Sequence, residues 1–167
     1  MTSPLLPHKI TTLLYCFNEA DEVLLLERTK SPNQGLWSPP GGKLESGTGE
    51  SPYQCAVREA REEIGLSLVV HDLRLAGLVA EKAYEGKSHW LMFLFEVRPR
   101  LRKLPPAHEE GRFAFVPRGQ IARLAIPDTD REKLWDYFWK YRQGFFSLSC
   151  ERLPDGRHLW VDEEIKS

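Results

Sequence analysis

Three glutamates in one short segment are the residues best suited to chemistry. Glu59, Glu62 and Glu63 are spaced so that on an α-helix they share one face, within an arc of roughly 100°. Carboxylate oxygens are hard ligands of the kind that Mg²⁺ and Mn²⁺ prefer in proteins. The spacing therefore predicts a divalent-metal site on one side of a helix.

The helix that must position these glutamates is marked at both ends. Ser51 is suited to cap the first turn, Pro52 to occupy the first helical position, and Gln54 to complete a capping box. Gly65 provides the stop. An apolar stripe, expected to face the core, consists of Tyr53, Ala56, Val57, Ala60 and Ile64. The carboxylates are left on the other side.

A helix rich in Glu and Arg is commonly only a solvated face, so its surroundings decide the interpretation. Gly41-Gly42 and Glu50 precede it, and the segment 58–66 reads R-E-A-R-E-E-I-G-L. This arrangement resembles the Nudix box of the Nudix hydrolase family, whose pattern is G-x5-E-x7-R-E-U-x-E-E-x-G-U with U an aliphatic residue. From Glu50 onward every fixed position matches, with Ala60 as a small occupant of an aliphatic position.

The chain departs from this pattern in one loop. Seven residues separate Gly42 from Glu50 where the family has five, as though Thr48-Gly49 had been inserted. A two-residue loop extension costs little entropy, so the fold is expected to survive it. The extension could affect the position of Glu50, which in the family pairs with the box arginine, here Arg58. Through that pair Arg58 would orient the carboxylates.

The resemblance implies an α/β (α+β) fold, an α/β/α sandwich with a mixed sheet, and a site that uses Mg²⁺ or Mn²⁺. We expect Glu59 and Glu63 to be the principal metal ligands. Glu62 would ligate a second ion or help to position water. The carbonyl group of Gly42 would join the metal shell.

A further carboxylate is expected from outside the box, as the resemblance implies. Glu110 is preferred over Glu109 as a metal ligand or general base. The general base stays open among Glu62, Glu63 and Glu110. His108 is either an alternative base or only a loop residue.

Three residues are candidates for substrate contact. Arg28 closes a predicted strand, where in many Nudix proteins an arginine reaches substrate phosphate or base; an ordinary exposed arginine is the alternative. Lys43 directly follows the paired glycines. Trp37 either lines a base pocket or is buried beneath the loop.

The predicted reaction is hydrolysis of a nucleoside diphosphate linked to another group, X. The segment GLWSPPGGKLE is similar to family members that hydrolyse nucleoside triphosphates, including oxidised ones, to a monophosphate and pyrophosphate. ADP-ribose, nucleotide sugars and dinucleoside polyphosphates stay open as substrates. A non-catalytic nucleotide-binding module is the alternative of another class, although such domains usually lose box carboxylates that this chain keeps.

Composition limits the other partners. The 167 residues carry a formal net charge of −1, which offers no field to recruit nucleic acid or an anionic membrane. No apolar run approaches a membrane span and the N-terminus lacks the form of a signal peptide, so a cytoplasmic location is expected. The three cysteines have no C-x-x-C spacing and predict neither a disulfide framework nor a zinc site. A small nucleotide is the expected partner, and a homodimer is left open.

The remaining chain predicts one domain with a terminal extension. We expect a tail at 1–9, the Nudix domain at 10–144, and at 145–167 a hairpin that extends the sheet, covers the pocket or forms a dimer contact. Its turn is Pro154-Asp155-Gly156. The other predicted elements are a hairpin of 10–17 with 23–28, strands at 68–70, 73–81, 89–97 and 113–116, and a helix from about 131 to 142.

Overall fold

A computed structural model describes residues 5–31 and 33–167 of the chain. The strands are β1 (His8–Tyr15), β2 (Val23–Arg28), β3 (Trp37–Ser38), β4 (Gly41–Lys43), β5 (Leu73–Tyr84), β6 (Ser88–Val97), β7 (Gly111–Val116), β8 (Phe145–Arg152) and β9 (His158–Lys166). The α-helices are α1 (Pro52–Ile64) and α2 (Trp135–Lys140). Over these ranges, no helix is both long and apolar enough to cross a lipid bilayer.

A six-stranded mixed sheet forms the central layer, in the order β4-β1-β6-β5-β8-β9. β1 runs parallel to β6 and β5 runs parallel to β8, while the other neighbouring pairs are antiparallel. A second, antiparallel sheet has the order β3-β2-β7. The chain therefore combines the mixed sheet that was expected with a smaller sheet beside it.

Alternation along β1 explains how the helices cover both faces of the central sheet. Successive side chains of a strand point to opposite faces. Leu14 packs in one core cluster with Ala56 and Ala60 of α1, whereas the adjacent Tyr15 packs in the other cluster with Phe138 of α2. The sheet thus lies between two helical layers, which confirms the predicted sandwich.

Local sequence signals set the bounds of α1. The hydroxyl of Ser51 accepts a hydrogen bond from the backbone N–H of Gln54, whose side chain in turn accepts one from the Ser51 N–H. Pro52 occupies the first helical position, and Gly65 ends the helix in the left-handed conformation at φ 67°. The predicted capping box and stop are confirmed.

The late helix begins earlier and is less regular than expected. A π-helical turn, Asp130–Leu134, leads directly into α2. Leu134, Trp135 and Phe138, at helical spacing, are buried in the core, and Trp139 packs against it partly buried.

The C-terminal hairpin extends the central sheet. β8 adds to β5 in parallel, with Phe146 opposite Gly77, and β9 then forms the edge. The predicted turn at 154–156 connects the two strands. Of the three roles considered for this hairpin, sheet extension is the one that the strand pairing supports. The division of the chain at residue 145 stays a prediction.

Three expectations about the strands were wrong. The segments 10–17 and 23–28 share one isolated bridge, Phe17 to Val23, instead of forming a hairpin. β1 is already paired on both edges, by β4 and β6, so β2 joins the other sheet. Segment 68–70 is not a strand, because it leads into a 3-10 turn at Val70–Asp72 with Val69 61% exposed. β1 also begins at His8, inside the expected tail, of which residues 1–4 lie outside the described range.

Candidate active site

A cavity of about 440 Å³ is lined by residues of α1, of strands from both sheets and of the turn that precedes α2. Two groups of acidic side chains reach it. The first, called here the α1 group, consists of Glu59, Glu63 and Glu110. The second, called the inner pair, consists of Glu81 and Asp130. The cavity therefore has two acidic regions that differ in their surroundings.

Glu59 is the most buried member of the α1 group, at 7% exposure. Its carboxylate lies directly against the backbone of β4, because a Cβ atom added to Gly42 would stand 2.3 Å from Glu59 Oε1. Only glycine leaves room there. Burial raises the pKa of Glu59, and a hydrogen bond from Arg58 opposes that effect.

Arg58 connects the loop before α1 with the carboxylate face of the helix. Its Nη2 and Nε atoms donate to both oxygens of Glu50, at 2.7 and 3.1 Å. Its Nη1 atom donates to Glu59 at 2.9 Å and to Glu62 at 3.1 Å. The guanidinium lowers the pKa of Glu50 to about 2. The two-residue insertion therefore leaves the Glu50–Arg58 pair intact.

Glu62, the remaining carboxylate of the Nudix box, does not line the cavity. The side chain of Glu62 is 57% exposed, contacts Arg58, and is not part of the cavity wall that the described residues form. Glu62 is therefore more exposed than Glu59 and Glu63, although it contacts the same Nη1 atom of Arg58 as Glu59 does.

Glu63 faces the cavity with a side chain only 17% exposed. Burial raises its pKa to about 7, and the negative charges of Glu59 and Glu110 add to the effect. These like charges favour a bound cation, which would stabilise all three carboxylates in their ionised form.

The donor set suits a hard divalent cation but is not assembled as a closed site. The part of the chain that the structure describes contains no group of three His, Cys, Asp or Glu residues arranged to hold a metal ion. The Gly42 carbonyl accepts a hydrogen bond from Thr11 at 2.9 Å and a longer one from Thr12 at 3.4 Å. The Cys55 thiol also lies 3.7 Å from this oxygen, so the carbonyl is already engaged by protein donors, and its place in a metal shell stays a prediction. Carboxylate and carbonyl oxygens on one wall fit Mg²⁺ or Mn²⁺ better than softer metals.

Both residues of the inner pair are as buried as Glu59. Glu81 is 8% exposed and Asp130 is 7% exposed. Burial, together with the charge of Glu81, raises the pKa of Asp130 to about 7. Burial also raises the pKa of Glu81, against a hydrogen bond from Thr129. A carboxyl group in this range can either donate or accept a hydrogen bond near neutral pH.

Two of the three predicted substrate contacts reach the cavity. Arg28 lines it, donates to the Ser38 hydroxyl at 3.0 Å, and lowers the pKa of both Glu63 and Asp130 by its charge. Lys43 also lines it, with its Nζ atom 5.8 Å from the centroid of the Trp90 ring. Both are placed to attract an anionic ligand.

The expectation that Trp37 lines a base pocket needs correction. Ser38 faces the cavity, and neighbouring residues of a strand point to opposite faces. Trp37 packs instead against the core, with Arg112 5.5 Å from its ring centroid. The burial alternative therefore describes Trp37.

The sequence interpretation missed the aromatic part of the wall. Trp90 and Tyr84 line the cavity with their rings edge to face, 6.4 Å apart. The Trp90 indole N–H is buried and has no hydrogen-bond acceptor among the described residues. The burial of Glu81 could have been predicted from strand alternation, because in β5 it lies on the same face as the core residue Val79. No comparable local signal marked Asp130.

Comparison with known proteins identifies similar chains. A family model described as NUDIX domain matches residues 7–137. A Bacillus subtilis protein named Uncharacterized Nudix hydrolase YvcI is 33% identical over 113 residues, which cover 66% of this chain and 67% of that protein. A Mycobacterium tuberculosis protein named Putative 8-oxo-dGTP diphosphatase 3 is 32% identical over 106 residues, 62% of this chain and 48% of that protein. The chain thus spans about half of the mycobacterial relative.

Two further proteins extend the comparison. An ADP-ribose pyrophosphatase from Methanocaldococcus jannaschii is 25% identical over 124 residues, covering 74% of this chain and 69% of that protein. Among solved structures, a MutT protein from Bacillus halodurans superimposes with a TM-score of 0.71 at 24% identity, covering 93% of this chain and 97% of the other. At that identity the superposition establishes the fold alone.

Proposed function

The chain belongs to the NUDIX domain family, and from this premise we propose that it is a Mg²⁺- or Mn²⁺-dependent pyrophosphohydrolase that cleaves a nucleoside triphosphate to a monophosphate and pyrophosphate. One observation carries the proposal. A single cavity is lined both by an acidic group suited to a cation with phosphates and by a second pair of buried carboxyls together with two aromatic rings. A polyphosphate attached to a base needs these two environments in one site.

The α1 group is the proposed phosphate end. Glu59 and Glu63 would hold the metal, with Glu110 as a further carboxylate on the same cavity wall. Bound Mg²⁺ supplies neutralisation of phosphate charge and lowers the pKa of a coordinated water. Arg28 and Lys43 supply positive charge toward the substrate oxygens. The proton acceptor would then be Glu63 or Glu110, because these two glutamates line the cavity and Glu62 does not.

The inner pair and the aromatic residues are the proposed base end. A purine such as guanine, or its oxidised form, presents adjacent N–H and C=O groups at its edge. Asp130, with a pKa near neutrality, can match either kind of group. Trp90 offers a ring for stacking and an N–H that still lacks an acceptor among the described residues. These features support a purine nucleotide, in line with the name of the mycobacterial relative.

ADP-ribose is the second candidate substrate, favoured by the name of the archaeal relative. It carries a different purine, adenine, on a diphosphate, and its hydrolysis would release AMP and a sugar phosphate instead of pyrophosphate. Nucleotide sugars and dinucleoside polyphosphates belong to the same test. We further propose that the protein acts in the cytoplasm on these small molecules.

A product assay separates these alternatives. The purified protein is incubated with Mg²⁺ and a panel of canonical and oxidised nucleoside triphosphates, ADP-ribose, a nucleotide sugar and a dinucleoside polyphosphate, and the products are separated by chromatography. Pyrophosphate with a monophosphate from a purine triphosphate supports the proposal. Absence of turnover across the panel, together with tight nucleotide binding, would favour a non-catalytic module.

A further inference from the structure

His108 lies between two acidic residues of the cavity. Its Nδ1 atom is 3.0 Å from the backbone nitrogen of Glu110, which donates a hydrogen bond to it. Its Nε2 atom is 3.3 Å from Oε2 of Glu63. One imidazole ring therefore touches both the helix that carries Glu63 and the loop that carries Glu110.

The contact to Glu110 fixes the tautomer of the ring. A neutral imidazole has one donor and one acceptor nitrogen. Because Nδ1 accepts the Glu110 N–H, the proton of the neutral ring is on Nε2. His108 thus presents a donor to the Glu63 carboxylate, and the neutral ring cannot take a proton at the nitrogen that faces the cavity residues. This tautomer favours a role as hydrogen-bond donor over the general-base role considered for His108.

The Nε2–H group is buried, and the described residues give it no acceptor with hydrogen-bond geometry, although Glu63 Oε2 lies within reach. A buried donor without a partner is costly, so a small rotation of the Glu63 carboxylate onto it is favourable. The resulting hydrogen bond would hold the Glu63 carboxylate in one orientation.

The ring itself is held from two sides. Its edge packs on Phe113 of β7, with centroids 5.4 Å apart and planes at 66°. The backbones of His108 and Gly111 exchange two hydrogen bonds of 3.0 Å, which close the turn that contains Glu110. The position of His108 is therefore determined by the core and by the turn.

We propose that His108 is a positioning residue, which orients the Glu63 carboxylate through Nε2–H and fixes the turn of Glu110 through Nδ1. This inference rests on the proposed function, since it assigns Glu63 and Glu110 to the same ion and phosphate site. Partners that orient metal-binding side chains typically change metal affinity or activity by about 10- to 100-fold when they are removed.

Three variants separate the contacts of His108. H108Q keeps a donor that reaches Glu63, H108N keeps a short acceptor for the Glu110 N–H, and H108F keeps the packing on Phe113 but neither polar contact. Mn²⁺ affinity is measured without substrate, by the paramagnetic resonance of free Mn²⁺. We expect H108F and H108N to weaken Mn²⁺ binding by about 10-fold or more, and H108Q to restore most of it.

A measurement on the unmodified protein tests the inference even if the variants do not fold. The ¹⁵N chemical shifts of the His108 ring are expected to report the Nε2–H tautomer. An Nδ1–H tautomer, or equal Mn²⁺ affinity in the unmodified protein and folded H108F, would overturn the inference. Failure of the unmodified protein to bind Mn²⁺ at all would instead overturn the metal site of the proposed function, and the inference with it.

Discussion

Arg58 donates two parallel hydrogen bonds to the Glu50 carboxylate, of 2.7 Å from Nη2 and 3.1 Å from Nε. The pair spans the extended loop, which makes a 3-10 turn at Ser46–Thr48 and closes with Gly49 in the left-handed conformation at φ 69°. The insertion therefore adds a turn on the outside and leaves the connection to α1 unchanged. The same guanidinium then reaches Glu59, so loop, helix and cavity wall are held by one side chain.

Replacing Arg58 tests whether its bidentate contact with Glu50 is needed for catalysis. Lysine keeps the charge but cannot form the parallel pair to Glu50. We expect R58K to lower kcat by about 10- to 100-fold, because Glu59 loses its orienting partner. The control is R61K on the exposed side of α1, which should retain full activity. Equal rates for the two variants would contradict the role given to Arg58.

Gly42 provides a steric test of the position of Glu59. In G42A the new Cβ would stand 2.3 Å from Glu59 Oε1, so the carboxylate must move. A displacement of about 1 Å can lower turnover by roughly 10²-fold, and we expect a loss of that order. G47A is the matched control, since a Cβ there meets nothing within 4 Å. Steady-state kinetics and thermal unfolding of both variants distinguish displacement from misfolding.

Asp130 allows a prediction about stability and pH. Its pKa in the folded protein, about 7, lies above its ordinary value of 3.8, so the folded state binds the proton more tightly than the unfolded state. The free energy of unfolding therefore falls as pH rises from about 4 to about 7. D130N removes this cost, and at pH 8 it should be more stable by up to about 4 kcal/mol.

Urea denaturation at several pH values checks the Asp130 prediction. The advantage of D130N should grow from pH 4 to 7 and then stay constant. D128N, at an exposed neighbouring carboxylate, should show no such trend. If the unmodified protein and D130N have parallel stability profiles, Asp130 is not the buried ionisable group described here. D130N should also lower kcat/KM for the purine substrate, since an amide cannot change its protonation to suit the base.

Trp90 tests the proposed base end of the cavity. Stacking of a base on an aromatic ring contributes about 1–3 kcal/mol, so W90L is expected to raise KM for the nucleotide by about 10-fold or more, with a smaller change in kcat. W37L serves as the comparison, because Trp37 packs away from the cavity. A larger KM effect in W37L than in W90L would return the base site to the position first expected from the sequence.

Local sequence signals predicted α1 well. Ser51, Gln54 and Gly65 act through contacts with neighbours in the chain, so the bounds of the helix are determined within the segment itself. The turn of the C-terminal hairpin was predicted for the same reason. The bidentate contact between Arg58 and Glu50 follows the family pattern in spite of the longer loop.

Features that depend on distant contacts were harder to predict. β1 and β2 are neighbours in sequence, but β1 is paired on both edges by β4 and β6, and no local signal reports that. Asp130 is buried because the turn before α2 packs over the cavity beside Glu81. Its sequence neighbourhood is polar and predicted only a helix start. The greater exposure of Glu62 compared with Glu59 and Glu63 likewise had no local signal in the sequence.

The central claim is that carboxylates of α1 act on a polyphosphate together with a divalent cation. The most direct measurement is the rate of Mg²⁺-dependent pyrophosphate release from a purine nucleoside triphosphate, by the unmodified protein and by E63Q. We predict release that stops on chelation of the metal and falls by at least about 100-fold in E63Q. Folding should be unchanged, because Gln has nearly the same shape as Glu and places no charge at this largely buried position. Turnover that persists under chelation, or that E63Q leaves intact, would contradict the account.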